Sequence, residues 1–339
     1  VIIKILPVII FFSNISAALH HLGVIQKIVF AFAWLMSKTM RLSGAESLSA
    51  AGNVFLGQTE APLLVRPYIA SMTRSELMCL MTGGMATIAG SVFATYVAFL
   101  GGEDPEARSQ YAMFLLAASV MNAPAAIVFS KLLLPETQSD QLNRELKFGG
   151  EKVGVNLIDA LASGAAAGLK LALNVGAMLL AFIAVIIMVN YFLKDVVGEI
   201  FGLNALIITS TNGVFDGFSL EYIMGNVFRF FAFCIGVDWH ETLQVGSLLG
   251  KKLVVNEFVA YLDLAEMNSR QLLSPRAATI SAFALCGFAN FSSIAIQIGG
   301  IGGMALSRQS DVSKLGMRAL LAGTLASLLT ATIASVLAT

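Results

Sequence analysis

Four stretches of this sequence, residues 77–100, 111–134, 171–193 and 315–337, run apolar for more than twenty positions with at most one charge each. A helix of about 20 apolar residues crosses the roughly 30 Å hydrocarbon core of a bilayer, and it satisfies its own backbone there. Composition points the same way. Charged residues make up 12% of the chain, where a soluble domain carries about 25%. Apolar residues reach 57% and the mean hydropathy is +0.81. The predicted class is an all-α integral membrane protein.

The same bookkeeping excludes other classes. The net charge is zero and no basic tract occurs, so nucleic acid is not expected as a partner. Cys79, Cys234 and Cys286 stand singly, without disulfide or metal-ligand spacing, and His20, His21 and His240 are read as lacking ligand neighbours. The chain opens at Val1 inside an apolar run that Lys4 and Pro7 interrupt, with no cleavage-site pattern. Further spans are therefore expected ahead of it.

The interruptions carry more information than the spans. Residues 277–306 are apolar at both ends, but Asn290, Phe291, Ser292 and Ser293 break the middle. Residues 1–19 read as a partial span, followed at 24–36 by an amphipathic stretch with Lys27 and Trp34, suited to the membrane interface. Residues 45–72 and 242–266 are semi-apolar with a polar cluster at the centre of each: Gly57-Gln58-Thr59-Glu60 before Pro62, and Gly250-Lys251-Lys252 with Asn256-Glu257. Lipid cannot hydrogen-bond such groups, whereas the tip of a re-entrant hairpin lining a cavity can hold them. Arms of about 12–14 residues, roughly 20 Å long, are too short to cross.

These parts recur in one order: span, interfacial helix, hairpin, span, span. The first unit covers 1–134; the second covers 171–337, with 220–233 as its interfacial helix. A shift of 197 positions superposes Glu60 on Glu257, Gly90 on Gly287 and Thr95 on Ser292. Three crossings per unit make the repeat inverted, a pattern found in many secondary transporters. The expected division is 1–44 (partial scaffold span and interfacial helix), 45–152 (first repeat core), 153–219 (scaffold span and external connection) and 220–339 (second repeat core). Lys38, Arg41, Arg66, Arg74, Arg144, Lys147, Lys152, Arg308 and Lys314 place the first hairpin on the cytoplasmic side, against acidic 101–110 outside; Arg270 and Arg276 run counter to that.

Glu60 and Glu257 are the groups to explain, since a carboxylate at membrane depth costs on the order of 3 kcal/mol. Each could sit in a watery loop or cap a helix; their matched places in two repeats favour one shared polar cavity. Two carboxylates, the amides of Gln58, Asn256 and Asn290, and the hydroxyls of Thr59, Ser292 and Ser293 suit a neutral ligand rich in hydroxyl and N–H groups. Phosphate would need cations there. Phe288 and Phe291 could stack on a flat ring or serve as packing. Asn53 and Thr87 admit two readings, as oxygen ligands of a cation such as Na⁺ or as a helix cap and a back-bonded hydroxyl. A membrane-embedded enzyme using Glu60 and Glu257 as acid and base is the remaining class, though no nucleophile accompanies them.

Three runs resemble one family. Gly52-Asn53-Val54-Phe55-Leu56-Gly57-Gln58-Thr59-Glu60-Ala61-Pro62 resembles the first hairpin of concentrative nucleoside transporters. Val255-Asn256-Glu257-Phe258-Val259-Ala260-Tyr261 resembles their second, and Cys286-Gly287-Phe288-Ala289-Asn290-Phe291-Ser292-Ser293-Ile294 resembles the broken helix that follows. The resemblance implies a homotrimeric, elevator-type importer of nucleosides such as uridine in the bacterial inner (plasma) membrane. It matches Gln58, Thr59 and Glu60 to contacts with the base, Glu257, Asn290 and Ser293 to the ribose, and Phe288 to the base pocket. It matches Asn53, Leu56, Thr87 and Ile88 to a Na⁺ site, the Leu56 and Ile88 contributions being carbonyls. Thr87 stands where members often carry serine; the hydroxyl survives, so Na⁺ coupling is expected over proton coupling.

Overall fold

The computed structural model describes residues 2–40, 42–143 and 154–337. Val1, Arg41, Arg144, Lys147 and Lys152, used above, lie outside the described residues. Helix α1 (Ile2–His21) turns by 74° into α2 (Val24–Met40). Helix α2 buries the stripe Ile25, Val29, Ala33 and Met36, while Lys38 sits over the exposed Trp34 ring. The first hairpin rises as α3 (Gly44–Asn53), whose start is fixed by a Ser43–Glu46 capping box. It descends as a 3-10 turn, Ala61–Val65, and one turn of α4 (Arg66–Ile69). The expected 12–14-residue arm is thus corrected. Pro62 and Pro67 lack the N–H groups that a continuous helix needs.

Next come α5 (Arg74–Ala86), α6 (Gly90–Gly101), α7 (Pro105–Leu133) and α8 (Leu157–Asn190), the last continuing as a π-helical segment, Tyr191–Gly198. The single span expected at 77–100 is broken at residues 87–89. The span expected at 171–193 begins at Leu157, and α9 (Leu203–Ser210) was not anticipated. Helix α10 (Leu220–Cys234) packs against the second hairpin, α11 (Thr242–Val254) and α12 (Glu257–Ser269), whose arms are both 13 residues long. Helices α13 (Pro275–Leu285) and α14 (Phe291–Met304) are separated by a break at residues 286–290, earlier than the interruption expected at 290–293: Asn290 is the N-cap, and Phe291, Ser292 and Ser293 already belong to α14; α15 (Gln309–Leu337) follows.

The 197-residue shift does not hold along the whole length. Helices α5 and α13 start 201 positions apart (Arg74, Pro275), as do α6 and α14 (Gly90, Phe291). The longer α-helical descent of the second hairpin supplies the difference. Gly90 therefore corresponds to Phe291, not Gly287, and Thr95 no longer meets Ser292.

Packing interleaves the two halves. One core joins Val92, Tyr96 and Leu115 to Phe258, Tyr261 and Ile280; the other joins Leu48, Leu77 and Met81 to Leu315 and Leu320. Among the described residues, four helices are long and apolar enough to cross a membrane, counting Arg74–Gly101 through its break. Its central window is 83% buried, against 22% for Leu157–Asn174. The broken helix is thus wrapped by protein, and α8, packed mainly on α1, is peripheral.

Candidate functional site

Two helix interruptions meet in the interior. The Phe288 N–H donates to the Thr87 carbonyl at 3.2 Å, and the Gly90 N–H donates to the Phe55 carbonyl at 3.0 Å. Backbone groups freed by one break are thus satisfied by the other break and by the first hairpin. Gly287 makes the crossing possible: its φ is +150°, and a Cβ there would lie 2.6 Å from the Ala86 carbonyl oxygen.

Beside this crossing is a cavity of about 200 Å³ lined by Gln58, Thr59, Glu60, Glu257, Phe288, Asn290 and Ser293. Every residue that the resemblance matches to substrate therefore borders one space. Asn290 caps α14, its Oδ1 accepting from the Ser293 N–H at 2.9 Å and the Ser292 hydroxyl at 2.7 Å. That fixes its Nδ2 to donate to Glu257 Oε2 at 3.1 Å. Glu257, first residue of α12, receives the Tyr96 hydroxyl on Oε1 at 2.9 Å. Both oxygens accept, the arrangement that suits an ionised carboxylate. Asn256 lines the cavity too, but its Oδ1 is engaged by the Val259 N–H at 2.9 Å, so it is a helix cap.

From the other half, Gln58 Nε2 donates to Ser293 Oγ at 3.0 Å, and Gln58 Oε1, buried, has no partner among the described residues. Among the described residues Glu60 accepts only the Gly57 N–H, at 3.2 Å. It is exposed at the junction between the small cavity and a recess of about 950 Å³ that Ser13 and His20 of α1 and Lys170 and Asn174 of α8 also line. The two acids thus share a chamber with different surroundings, Glu257 buried and Glu60 at the mouth. Phe288 borders the chamber. Phe291 does not, lining a separate apolar crevice; its first turn of α14 carries it to the other side.

Two of the residues that the resemblance matches to an ion, Asn53 and Thr87, meet at the Gly83 turn of α5. Asn53 is 1% exposed, and neither its Nδ2 nor its Oδ1 has a partner among the described residues. It makes no capping bond. Its amide lies over Gly83, where a Cβ would come within 2.7 Å of Nδ2. The Thr87 hydroxyl donates to the Gly83 carbonyl at 2.9 Å, leaving its lone pairs available. Leu56 and Ile88, both buried, flank the turn and the break. An unpartnered buried amide beside a hydroxyl and broken-helix carbonyls suits a hard cation. His240 is less isolated than its sequence neighbours indicate, grouping with Asp238 and Glu241 at the surface. The Glu241 carboxylate there is bonded to Ser274, the cap of α13.

Two residues, Tyr96 and Asn122, escaped the sequence reading, and Lys252 entered it only as part of the Gly250-Lys251-Lys252 cluster. Tyr96 aims Glu257 and stacks on Tyr261 with ring centroids 4.5 Å apart. Asn122 donates to the end carbonyls of both interrupted helices, and Lys252 lies buried on the second hairpin. All three are polar groups within apolar stretches, a usable signal. Tyr96→Phe is expected to weaken ligand binding by about tenfold, because it strips one partner from a buried carboxylate. Titration calorimetry checks this; unchanged affinity would mean that the hydroxyl does not orient Glu257.

Comparison with known proteins fits this geometry. A family described as the Na⁺-dependent nucleoside transporter C-terminus matches residues 114–335, and a gate family described as nucleoside recognition matches residues 2–103. An uncharacterized transporter of Bacillus subtilis, YutK, is 49% identical over 333 residues, covering 98% of this chain and 76% of that protein. Human sodium/nucleoside cotransporter 1 is 42% identical over 351 residues, covering 98% of this chain, which spans 50% of that longer protein. CNTnw in an inward-facing substrate-bound state superposes with a TM-score of 0.85 at 42% identity, over 100% of this chain and 76% of that one. In an outward-facing state the TM-score is 0.82.

Proposed function

Because the chain belongs to the concentrative nucleoside transporter family, and is thus a multi-pass membrane transporter rather than an enzyme, we propose that it imports nucleosides together with Na⁺. The observation that carries this is the shared chamber. It holds Glu257 and Asn290 from one half and Gln58 and Glu60 from the other, and among the described residues no cation lines it, Arg66 and Lys170 lying in the adjoining recess. Glu257 and Asn290 would take the ribose hydroxyls, with Ser293. Gln58, whose Oε1 is unpartnered, would take base N–H groups with Thr59 and Glu60, and Phe288 would lie against the ring.

Na⁺ is read as a co-transported substrate at Asn53, Thr87 and the carbonyls of Leu56 and Ile88. It would fix the turn after α3 against the break in α5–α6, so that Gln58, Thr59 and Glu60 converge. Ion and nucleoside then assist each other's binding. One Na⁺ moving with a neutral nucleoside carries one charge, which at 100 mV supplies about 2.3 kcal/mol, roughly 50-fold accumulation. The architecture fits an elevator in a homotrimer. On this reading α1 and the sparsely buried α8 form the scaffold, and the hairpins with the interrupted helices form the moving part of an inverted repeat.

Uridine uptake into proteoliposomes is expected to rise with an inward Na⁺ gradient. Equal rates with and without that gradient reject Na⁺ coupling, and uptake driven by a pH gradient in Na⁺-free buffer replaces it with proton coupling. Asn53→Leu is expected to raise the Na⁺ concentration for half-maximal uptake by at least about tenfold, the loss of one oxygen ligand.

A further inference from the structure

At the end of α13 a cation is built into the chain. Lys252, on the rising arm of the second hairpin, is 4% exposed, and its Nζ donates to the Ala284 carbonyl at 2.9 Å. Among the described residues it has no ion-pair partner, whereas its neighbour Lys251 pairs with Glu221 and Asp263. A buried ammonium is costly unless it is well held. Here the last turn of a helix holds it, where carbonyls lack intrahelical partners and the dipole is negative. The crevice beside it is mostly apolar, lined by Phe228, Leu253 and Leu320, and its Thr324 hydroxyl is engaged with the Leu320 carbonyl in its own helix.

Ala284 has a counterpart. The 201-residue offset between α5 and α13 sets it opposite Gly83. Gly83 is the residue against which the unpartnered Asn53 amide lies and whose carbonyl takes the Thr87 hydroxyl. Each hairpin therefore brings a group to the same turn of its half-helix, an amide in one case and an ammonium in the other. Charge repeats the asymmetry. Each hairpin carries one cavity acid, Glu60 or Glu257, and only the second also carries an unpaired buried cation.

We propose that the Lys252 ammonium is a tethered stand-in for a transported cation, holding the second hairpin on α13 without an ion, so that only the first hairpin is ion-dependent. The proposal rests on reading Asn53 and Thr87 as the Na⁺ site. It makes one ion per nucleoside a property of this lysine, and it assigns the ion-sensitive gate to the first hairpin.

Cys286, fully buried at the end of α13, is a native reporter. With Cys79→Ala and Cys234→Ser as the parent, two quantities are measured: maleimide labelling of Cys286 and the Na⁺ dependence of uridine uptake. Lys252→Met is expected to speed labelling in Na⁺-free buffer by at least about tenfold, the effect of losing a charge-assisted hydrogen bond, and Lys252→Arg to restore slow labelling. Lys252→Gln, which removes the charge and whose shorter side chain offers an amide oxygen beside the Ala284 carbonyl, is expected to move the Hill coefficient for Na⁺ from about one toward about two. Na⁺ should then slow labelling in that variant. Equal labelling in Lys252→Met and the parent overturns the proposal, as does a Lys252→Gln variant with an unchanged Hill coefficient and labelling indifferent to Na⁺. Should Lys252→Met fail to fold, the Gln and Arg variants decide. Parent uptake that ignores Na⁺ removes the sodium reading and the stand-in together, whereas equal labelling in a Na⁺-driven parent removes the stand-in alone.

Discussion

Glu257→Gln is expected to lower uridine affinity by about a hundredfold, while the melting temperature stays as in the parent. The carboxylate accepts from Tyr96 on one oxygen and from Asn290 on the other. A glutamine can keep both contacts, its carbonyl receiving Asn290 Nδ2 and its NH₂ donating to the Tyr96 oxygen, since a hydroxyl both donates and accepts. What disappears is charge. Hydrogen bonds to charged groups contribute about 1.5–3 kcal/mol each and neutral ones about 0.5–1.5, so two ribose hydroxyls together lose about 3 kcal/mol. Glu257→Ala differs: it leaves Tyr96 and Asn290 without acceptors and is expected to destabilise the protein as well. Calorimetry in saturating Na⁺ with parallel melting curves separates the two effects. Unaltered affinity in the glutamine variant would remove Glu257 from the binding site.

The polar lining of the chamber was more legible than the turn around Gly83, for a physical reason. Glu60, Glu257, Gln58, Asn290 and Ser293 are polar groups in apolar surroundings, and lipid leaves such groups few destinations. The break between α13 and α14 was visible through its last residue, the N-cap Asn290, although Phe291, Ser292 and Ser293, expected to belong to it, are helical. The interruption at residues 87–89 was not visible. Met85-Ala86-Thr87-Ile88-Ala89 contains neither proline nor a polar run, and the break is stabilised from outside, by Phe55 and Phe288 backbone groups more than 30 positions away. The descending arm of the first hairpin failed in the opposite direction. Pro62 and Pro67 were in plain view, yet the expected arm was drawn from its length alone. Lys252 was noticed only as an exception to a cation-free centre, because sequence does not show that a carbonyl of α13 lies within its reach.

Asn122→Leu tests the contact that holds the two interruptions together. Asn122 lies midway along α7, fully buried, and its Nδ2 donates to Ala86 O at 2.8 Å and Cys286 O at 2.7 Å. These are carbonyls at the C-terminal ends of α5 and α13, groups that a helix cannot satisfy itself. Its Oδ1 accepts the Thr330 hydroxyl at 2.7 Å. Ser327 also donates to Cys286 O, at 3.2 Å, and Thr330 also donates to Ser327 O, so the Ala86 carbonyl bears the greater loss. Leucine fills the space without donating. The expected cost is about 2–4 kcal/mol, the range for leaving buried acceptors unpaired, together with transport falling to a small fraction of the parent as the crossing at Gly287 loosens. Asn122→Asp has nearly the same shape but presents an oxygen to each carbonyl, so it is expected to melt no higher than the leucine variant. If aspartate were tolerated and leucine were not, the residue would be acting through Thr330 rather than through the helix ends. Parent-like melting of the leucine variant would show that the two breaks are held by backbone pairing alone.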